Sequence, residues 1–99
     1  MIEMKRLPGD DPLTFDVLVR EGDGETRHRV TLAADDLARL APARAPEHCI
    51  EAAFLFLLDR EPPEAILRRF DLGIIARYFP EFERELPRWL ADIGAGRAP

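Results

Sequence analysis

The sequence predicts an α+β fold, in which an N-terminal two-stranded antiparallel β-hairpin packs on three to five short helices. Between residues 13 and 32, apolar and polar residues alternate with a period of two, which is typical of half-buried strands. From residue 34 onward, apolar residues recur at helical spacing in segments separated by prolines. Because 99 residues supply one hydrophobic core, we expect a single domain over residues 13–93, with a flexible arm over 1–12 and a disordered tail over 94–99.

The hairpin is predicted by two strands, LTFDVLVRE and TRHRVTL, on either side of the segment GDGE. Asp23 and Gly24 are strong turn residues, because the primed turns of hairpins need positive φ, which Asp tolerates and Gly accepts freely. A turn at these two residues sets the facing pairs as Val19 with His28, Val17 with Val30, and Phe15 with Leu32. The apolar residues of both strands then share one face, which must be covered, since a lone ribbon is only marginally stable in water.

The most apolar segment, EHCIEAAFLFLLDR over residues 47–60, predicts a buried helix. Pro46 suits the first turn of this helix, and Pro62 ends it because the residue before a proline is pushed out of helical space. On the helical wheel, Leu55 and Leu58 lie beside Glu51, within the stripe that an amphipathic helix keeps polar. These two leucines are therefore either covered by the chain itself or available to a partner, and the sequence leaves both alternatives open.

Shorter helices are predicted on both sides of this segment. In LAADDLARLAPARAP, Asp35 and Asp36 lie near the start of a short helix, and Pro42 stops it. Pro63 is placed to open a helix over EAILRRF, with Ile66, Leu67 and Phe70 as its buried edge, and Asp71 is placed to cap another over LGIIARYF. Residues 80–93 carry Pro87 inside a helical pattern, which predicts either one kinked helix or a second helix that begins at this proline.

The run FLLDREPPEAILRRFDLGIIARYFPEFE, over residues 56–83, is the most distinctive string in the chain. Its parts DREP, FDL and RYFPEF resemble a group of short uncharacterised bacterial proteins that share an FLLDREP…FDLxxIxxYFPEF-like run. The resemblance implies a bacterial protein but brings no activity, catalytic residue or cofactor with it.

Composition and spacing argue against an enzyme, a metal protein and a membrane protein. The chain has no serine, its one cysteine lies in the most apolar segment, and it contains no glycine-rich phosphate loop. His28, His48 and Cys49 lack the spacing of metal ligands. No segment approaches the roughly 20 apolar residues of a membrane span, and the N-terminus lacks the apolar run of a signal peptide. We therefore expect a cytoplasmic protein without catalytic residues or cofactors.

The remaining expectation is a non-enzymatic protein-interaction module, either a homodimer or an adaptor for another protein. Aromatic residues are common interface anchors, and several fall within a short stretch near the C-terminus. The residues that we expect at the interface are Leu55, Leu58, Tyr78 and Trp89.

The alternative is a small nucleic-acid-binding regulator with a helix-turn-helix-like segment over residues 63–79. In this case Arg68, Arg69 and Arg77 would contact the nucleic acid. The formal net charge of −5 is spread evenly over the two halves of the chain, whereas nucleic-acid binders usually present a basic face. Binding to nucleic acid is therefore the less favoured prediction.

Overall fold

A mixed β-sheet and a layer of helices make up the structure, a computed structural model that describes residues 1–96, with side chains through residue 93. Within these residues four strands form one sheet in the order β1-β2-β3-β4. The strands are β1 (Ile2–Arg6), β2 (Leu13–Glu21), β3 (Gly24–Leu32) and β4 (Arg69–Asp71). The helices are α1 (Ala34–Leu40), α2 (Pro46–Arg60), α3 (Ile75–Tyr78) and α4 (Phe82–Gly96), with 3-10 turns over Pro63–Ala65 and Leu72–Ile74. The predicted α+β class is confirmed.

The first strand comes from the segment that was expected to be a flexible arm. Strand β1 pairs antiparallel with β2, so the prediction of a two-stranded hairpin as the only sheet is wrong. Ile2 and Met4 are half-buried and pack against the core, while the alternate residues Glu3 and Lys5 are exposed. This alternation stabilises the strand, but it spans too few residues to stand out in the sequence.

The turn of the β2–β3 hairpin lies one residue earlier than predicted, which shifts the pairing of the strands by two residues. Glu21 pairs with Gly24, so Gly22 and Asp23 form the turn, and Gly22 has a φ of 57°. The facing pairs become Phe15 with Val30, Val17 with His28, and Val19 with Thr26. Because side chains alternate across a strand, a shift of two residues keeps the same apolar face. Phe15, Val17, Val19, Val30 and Leu32 are all buried.

The segment predicted as the helix EAILRRF is largely extended. After the 3-10 turn over Pro63–Ala65, the chain forms β4, which pairs parallel with β3. The Arg29 amide donates to the Arg68 carbonyl at 2.7 Å, and the Thr31 hydroxyl donates to Asp71 at 2.8 Å. These partners come from β3, about 40 residues away in the chain. Residues 63–79 therefore do not contain the two helices of a helix-turn-helix.

The core lies between one face of the sheet and helices α2 and α4. Phe54 of α2 packs toward the sheet, with its ring centroid 5.4 Å from that of His28 and 6.0 Å from that of Phe70. His28 is buried, and its ring nitrogens bond the Leu67 carbonyl at 2.8 Å and the Thr26 hydroxyl at 2.9 Å. This buried histidine therefore ties β3 to the segment that leads into β4.

Helix α4 is continuous through Pro87, which settles the alternative between one helix and two. Residues 94–96 of the predicted tail belong to the end of α4, and residues 97–99 lie outside the described residues. At its other end, α4 is joined to α2 by Arg60. The Arg60 guanidinium lies 3.7 Å from the Phe56 ring centroid and bonds Glu81 at 3.0 Å and Glu85 at 2.9 Å.

Candidate functional site

An apolar groove lies where β4, α3 and the C-terminal end of α2 meet; we call it the β4 groove. Its volume is about 340 Å³, within the usual range for ligand pockets. The residues that line it are Leu57, Glu61, Ala65, Ile66, Leu67, Phe70, Ile74, Ile75, Tyr78 and Phe79. Nearly all of these are apolar, so the groove suits an apolar group rather than an ion or a sugar.

The floor of the groove is fixed by core packing. Leu57, Ile66 and Ile75 are buried, and they come from α2, from the loop before β4 and from α3. Phe79 is half-buried and packs edge-to-face on Phe56, with ring centroids 5.8 Å apart. Because each of these side chains is held by the core, the groove is a preformed feature.

Two apolar side chains on the rim are exposed. Leu67 is 49% exposed and Tyr78 is 64% exposed, and among the described residues only Met1 joins them as an exposed large hydrophobic residue. Scattered single apolar residues are common on protein surfaces. Leu67 and Tyr78, however, lie together beside one apolar groove and extend its apolar surface outward. Such a continuous apolar surface indicates a binding site.

Glu61 is the one charged residue that lines the groove within the described part of the chain. It is half-buried and follows the last residue of α2, where its amide donates to the Leu57 carbonyl at 2.9 Å. No ion pair links its carboxylate to another described residue, whereas Asp59, Glu81 and Glu85 all contact Arg60. The groove is therefore apolar with one acidic end.

The structure brings only one of the four predicted interface residues to this groove. Tyr78 lines it, whereas Leu55, Leu58 and Trp89 are half-buried and pack against the core. Trp89 is also covered by Arg88, whose guanidinium lies 5.3 Å from the ring centroid. An interface role for these three residues stays a prediction. Sequence reasoning missed Leu67, because it was assigned to the buried edge of a helix that does not form.

The three arginines of the alternative prediction lie in different settings. Arg69 is on β4, beside Arg29 of β3, on the sheet face that the helices leave uncovered. Arg68 is exposed just before β4, and Arg77 is exposed on α3. The uncovered face carries both signs of charge, and Arg29 is paired with Asp16 at 2.9 Å. This face is therefore a mixed charged surface rather than a basic one.

The described residues hold no group of metal ligands, and their one cysteine is buried. No group of three or more His, Cys, Asp or Glu side chains there is placed to hold a metal ion. Burial raises the pKa of the Cys49 thiol to about 11, so it stays neutral and poorly nucleophilic near pH 7. In the same part of the chain, no helix combines the length and apolar character that a membrane crossing requires.

Comparison with known proteins adds no assignment to this geometry. The chain matches no protein-family model, no curated protein and no solved structure.

Proposed function

We propose that this protein is a non-enzymatic protein-interaction module that binds an apolar segment of a protein partner in the β4 groove. The observation that carries the proposal is the exposure of Leu67 and Tyr78 on the rim of a preformed apolar groove. Covering exposed apolar surface is the main favourable term in protein association. A partner side chain in the groove would cover both residues at once.

The position of β4 favours a polypeptide over a small molecule. Strand β4 pairs with β3 on one side and, among residues 1–96, has no strand on the other. An extended segment can add to such an edge through backbone hydrogen bonds while its alternate side chains enter a neighbouring pocket. The groove and the open edge share Phe70, the middle residue of β4.

The test is affinity capture from the host lysate with three forms of the protein. Leu67→Glu places a charge on the groove rim, and Ala38→Glu places the same charge on the exposed surface of α1 as a matched control. We expect wild type and Ala38→Glu to capture the same protein and Leu67→Glu to lose it. Circular dichroism checks that all three variants are folded.

Equal capture by Leu67→Glu and wild type would contradict the proposal, since the rim would then have no part in binding. The homodimer form of the proposal is tested with the same proteins by light scattering after size exclusion. If a second copy occupies the groove, Leu67→Glu alone reduces the measured mass from dimer to monomer.

A second candidate, nucleic-acid binding, is favoured by the uncovered face of the sheet. Among the described residues on that face, Lys5 and Arg69 have no acidic partner, and Arg69 lies beside Arg29. Binding of a fluorescent 20-nucleotide single strand would weaken steeply with added salt and would be lost in Arg69→Glu. Absence of binding at low salt would eliminate this candidate.

A further inference from the structure

The β4 groove has an acidic end, where the carboxylate of Glu61 forms no ion pair with a described residue. Glu61 faces the groove, and none of the described Arg, Lys or His side chains forms an ion pair with it. Arg60, the residue before it, is turned toward α4 and holds Glu81 and Glu85 instead. Burying an unpaired carboxylate under an apolar partner would cost free energy unless the partner brings an opposite charge.

The end of helix α2 adds to the negative potential at this point. Helix α2 is 15 residues long, and Glu61 is its C-terminal cap. The last carbonyl groups of a helix lack intrahelical donors and give this end a partial negative charge of about half a unit. Helix end and carboxylate act in the same direction, and both favour a cation with N–H groups to donate.

Charge complementarity therefore indicates the kind of segment that binds in the groove. This inference rests on the proposed function, in which the groove binds a protein partner. We propose that the β4 groove selects a partner segment that carries a Lys or Arg next to an apolar anchor. The anchor enters between Leu67, Phe70 and Tyr78, and the cation donates hydrogen bonds to the Glu61 carboxylate. A wholly apolar segment, or one with an acidic residue at that position, would bury Glu61 without a partner.

The experiment uses a library of random 12-residue peptides displayed on phage, selected on the intact protein. Peptides that also bind Leu67→Glu are removed, so that the remaining set depends on the groove. We expect Lys and Arg to be enriched at a fixed distance from an apolar residue in this set. A parallel selection on Glu61→Lys should enrich Asp and Glu at the same position.

The pairing is then measured with one selected peptide and its variant in which the basic residue is replaced by norleucine. Glu61→Gln should weaken binding of the basic peptide about tenfold, as expected for a lost charge-assisted hydrogen bond. The same substitution should strengthen binding of the norleucine peptide, because that peptide buries the Glu61 carboxylate without a partner and glutamine removes this cost. Glu64→Gln, which alters an exposed carboxylate outside the groove lining, is the matched control and should have no effect.

The outcomes separate this inference from the proposed function. Peptides that require Leu67 but show no basic enrichment, and that bind Glu61→Gln as well as wild type, would overturn the cation preference and leave the interaction module standing. A selection that yields no peptide sensitive to Leu67→Glu would overturn both. A dimer that is lost in Leu67→Glu would place a second copy in the groove and would also overturn the assignment.

Discussion

Arg60 is expected to be the residue whose loss most weakens the junction between α2 and α4. Its guanidinium stacks 3.7 Å from the Phe56 ring centroid and bonds the carboxylates of Glu81 and Glu85. The side chain is only 18% exposed. Replacement by Met keeps an unbranched apolar stem but removes both the charge and the hydrogen bonds.

The loss of unfolding free energy in Arg60→Met can be estimated from these contacts. A partly desolvated cation–π contact is worth about 1 to 2 kcal/mol. Each hydrogen bond to a charged group contributes about 1.5 kcal/mol or more when it is well buried. The two carboxylates keep some contact with water, which reduces the loss. We therefore expect Arg60→Met to lower the free energy of unfolding by about 2 to 3 kcal/mol.

Urea unfolding followed by circular dichroism measures this loss directly. With a slope of about 1 to 3 kcal/mol/M for a small domain, the midpoint should fall by about 0.7 to 3 M. Arg88→Met is the matched control, because Arg88 also contacts Glu85 and an aromatic ring but is 66% exposed. Exposed pairs contribute little, so this control should lie within about 0.5 kcal/mol of wild type. Equal effects of the two substitutions would refute the role given to burial at Arg60.

Three further predictions concern a carboxylate, a thiol and a turn. The hydrogen bond from its own backbone amide, and then the contact with Arg60, lower the pKa of Glu81 in the folded protein. The ionised carboxylate therefore stabilises the fold above the ordinary carboxyl pKa, and this stabilisation is lost as the pH falls through the lowered pKa of the folded state. We expect Glu81→Gln to flatten the acid side of a plot of unfolding free energy against pH. Burial raises the pKa of Cys49, so a disulfide reagent at pH 8 should label it only in denaturant. Gly22 has a φ of 57° and open space around it, so Gly22→Ala should cost about 1 kcal/mol in urea unfolding and Gly22→Asn less; a neutral Gly22→Ala would contradict the observed turn.

The central helix was predictable from the sequence because every signal for it is local. Pro46 and Pro62 bound the segment, and its apolar residues cover most of the helical surface. The structure places α2 at Pro46–Arg60 and buries seven of its residues. Propensity, boundaries and burial agree in this segment, so no distant contact was needed to decide its structure.

Strand β4 was not predictable in the same way because the strand that stabilises it, β3, is distant in the sequence. Ile66, Leu67 and Phe70 are spaced as on one side of a helix. The structure instead buries Ile66, exposes Leu67 and pairs Phe70 beside Val30. Parallel pairing with a distant strand supplied backbone partners that a local pattern does not reveal, and tertiary contacts overrode the helical spacing.

The candidate site was found only in part for the same reason. Tyr78 was identified because an aromatic residue near other aromatics suggests an interface whatever the local structure. Leu67 and Glu61 gained their positions on the groove from the turn over Pro63–Ala65 and from the extended chain that follows. Without those elements, both residues fall on a continuous helical surface, and the groove does not exist.

The register of the β2–β3 hairpin could be predicted from its charged residues but not from its apolar pattern. A turn at Asp23 and Gly24 and a turn one residue earlier differ by two residues in strand pairing, so they give the same buried face and hydrophobic alternation cannot distinguish them. The charges on the polar face do distinguish the two registers. The predicted register sets Arg20 opposite Arg27, whereas the observed register sets Arg20 opposite Glu25 and Asp16 opposite Arg29. Like charges directly opposite each other destabilise a ladder, and opposite charges contribute a few tenths of a kcal/mol each. In this hairpin the solvent-facing side chains therefore select the register among those that the core accepts.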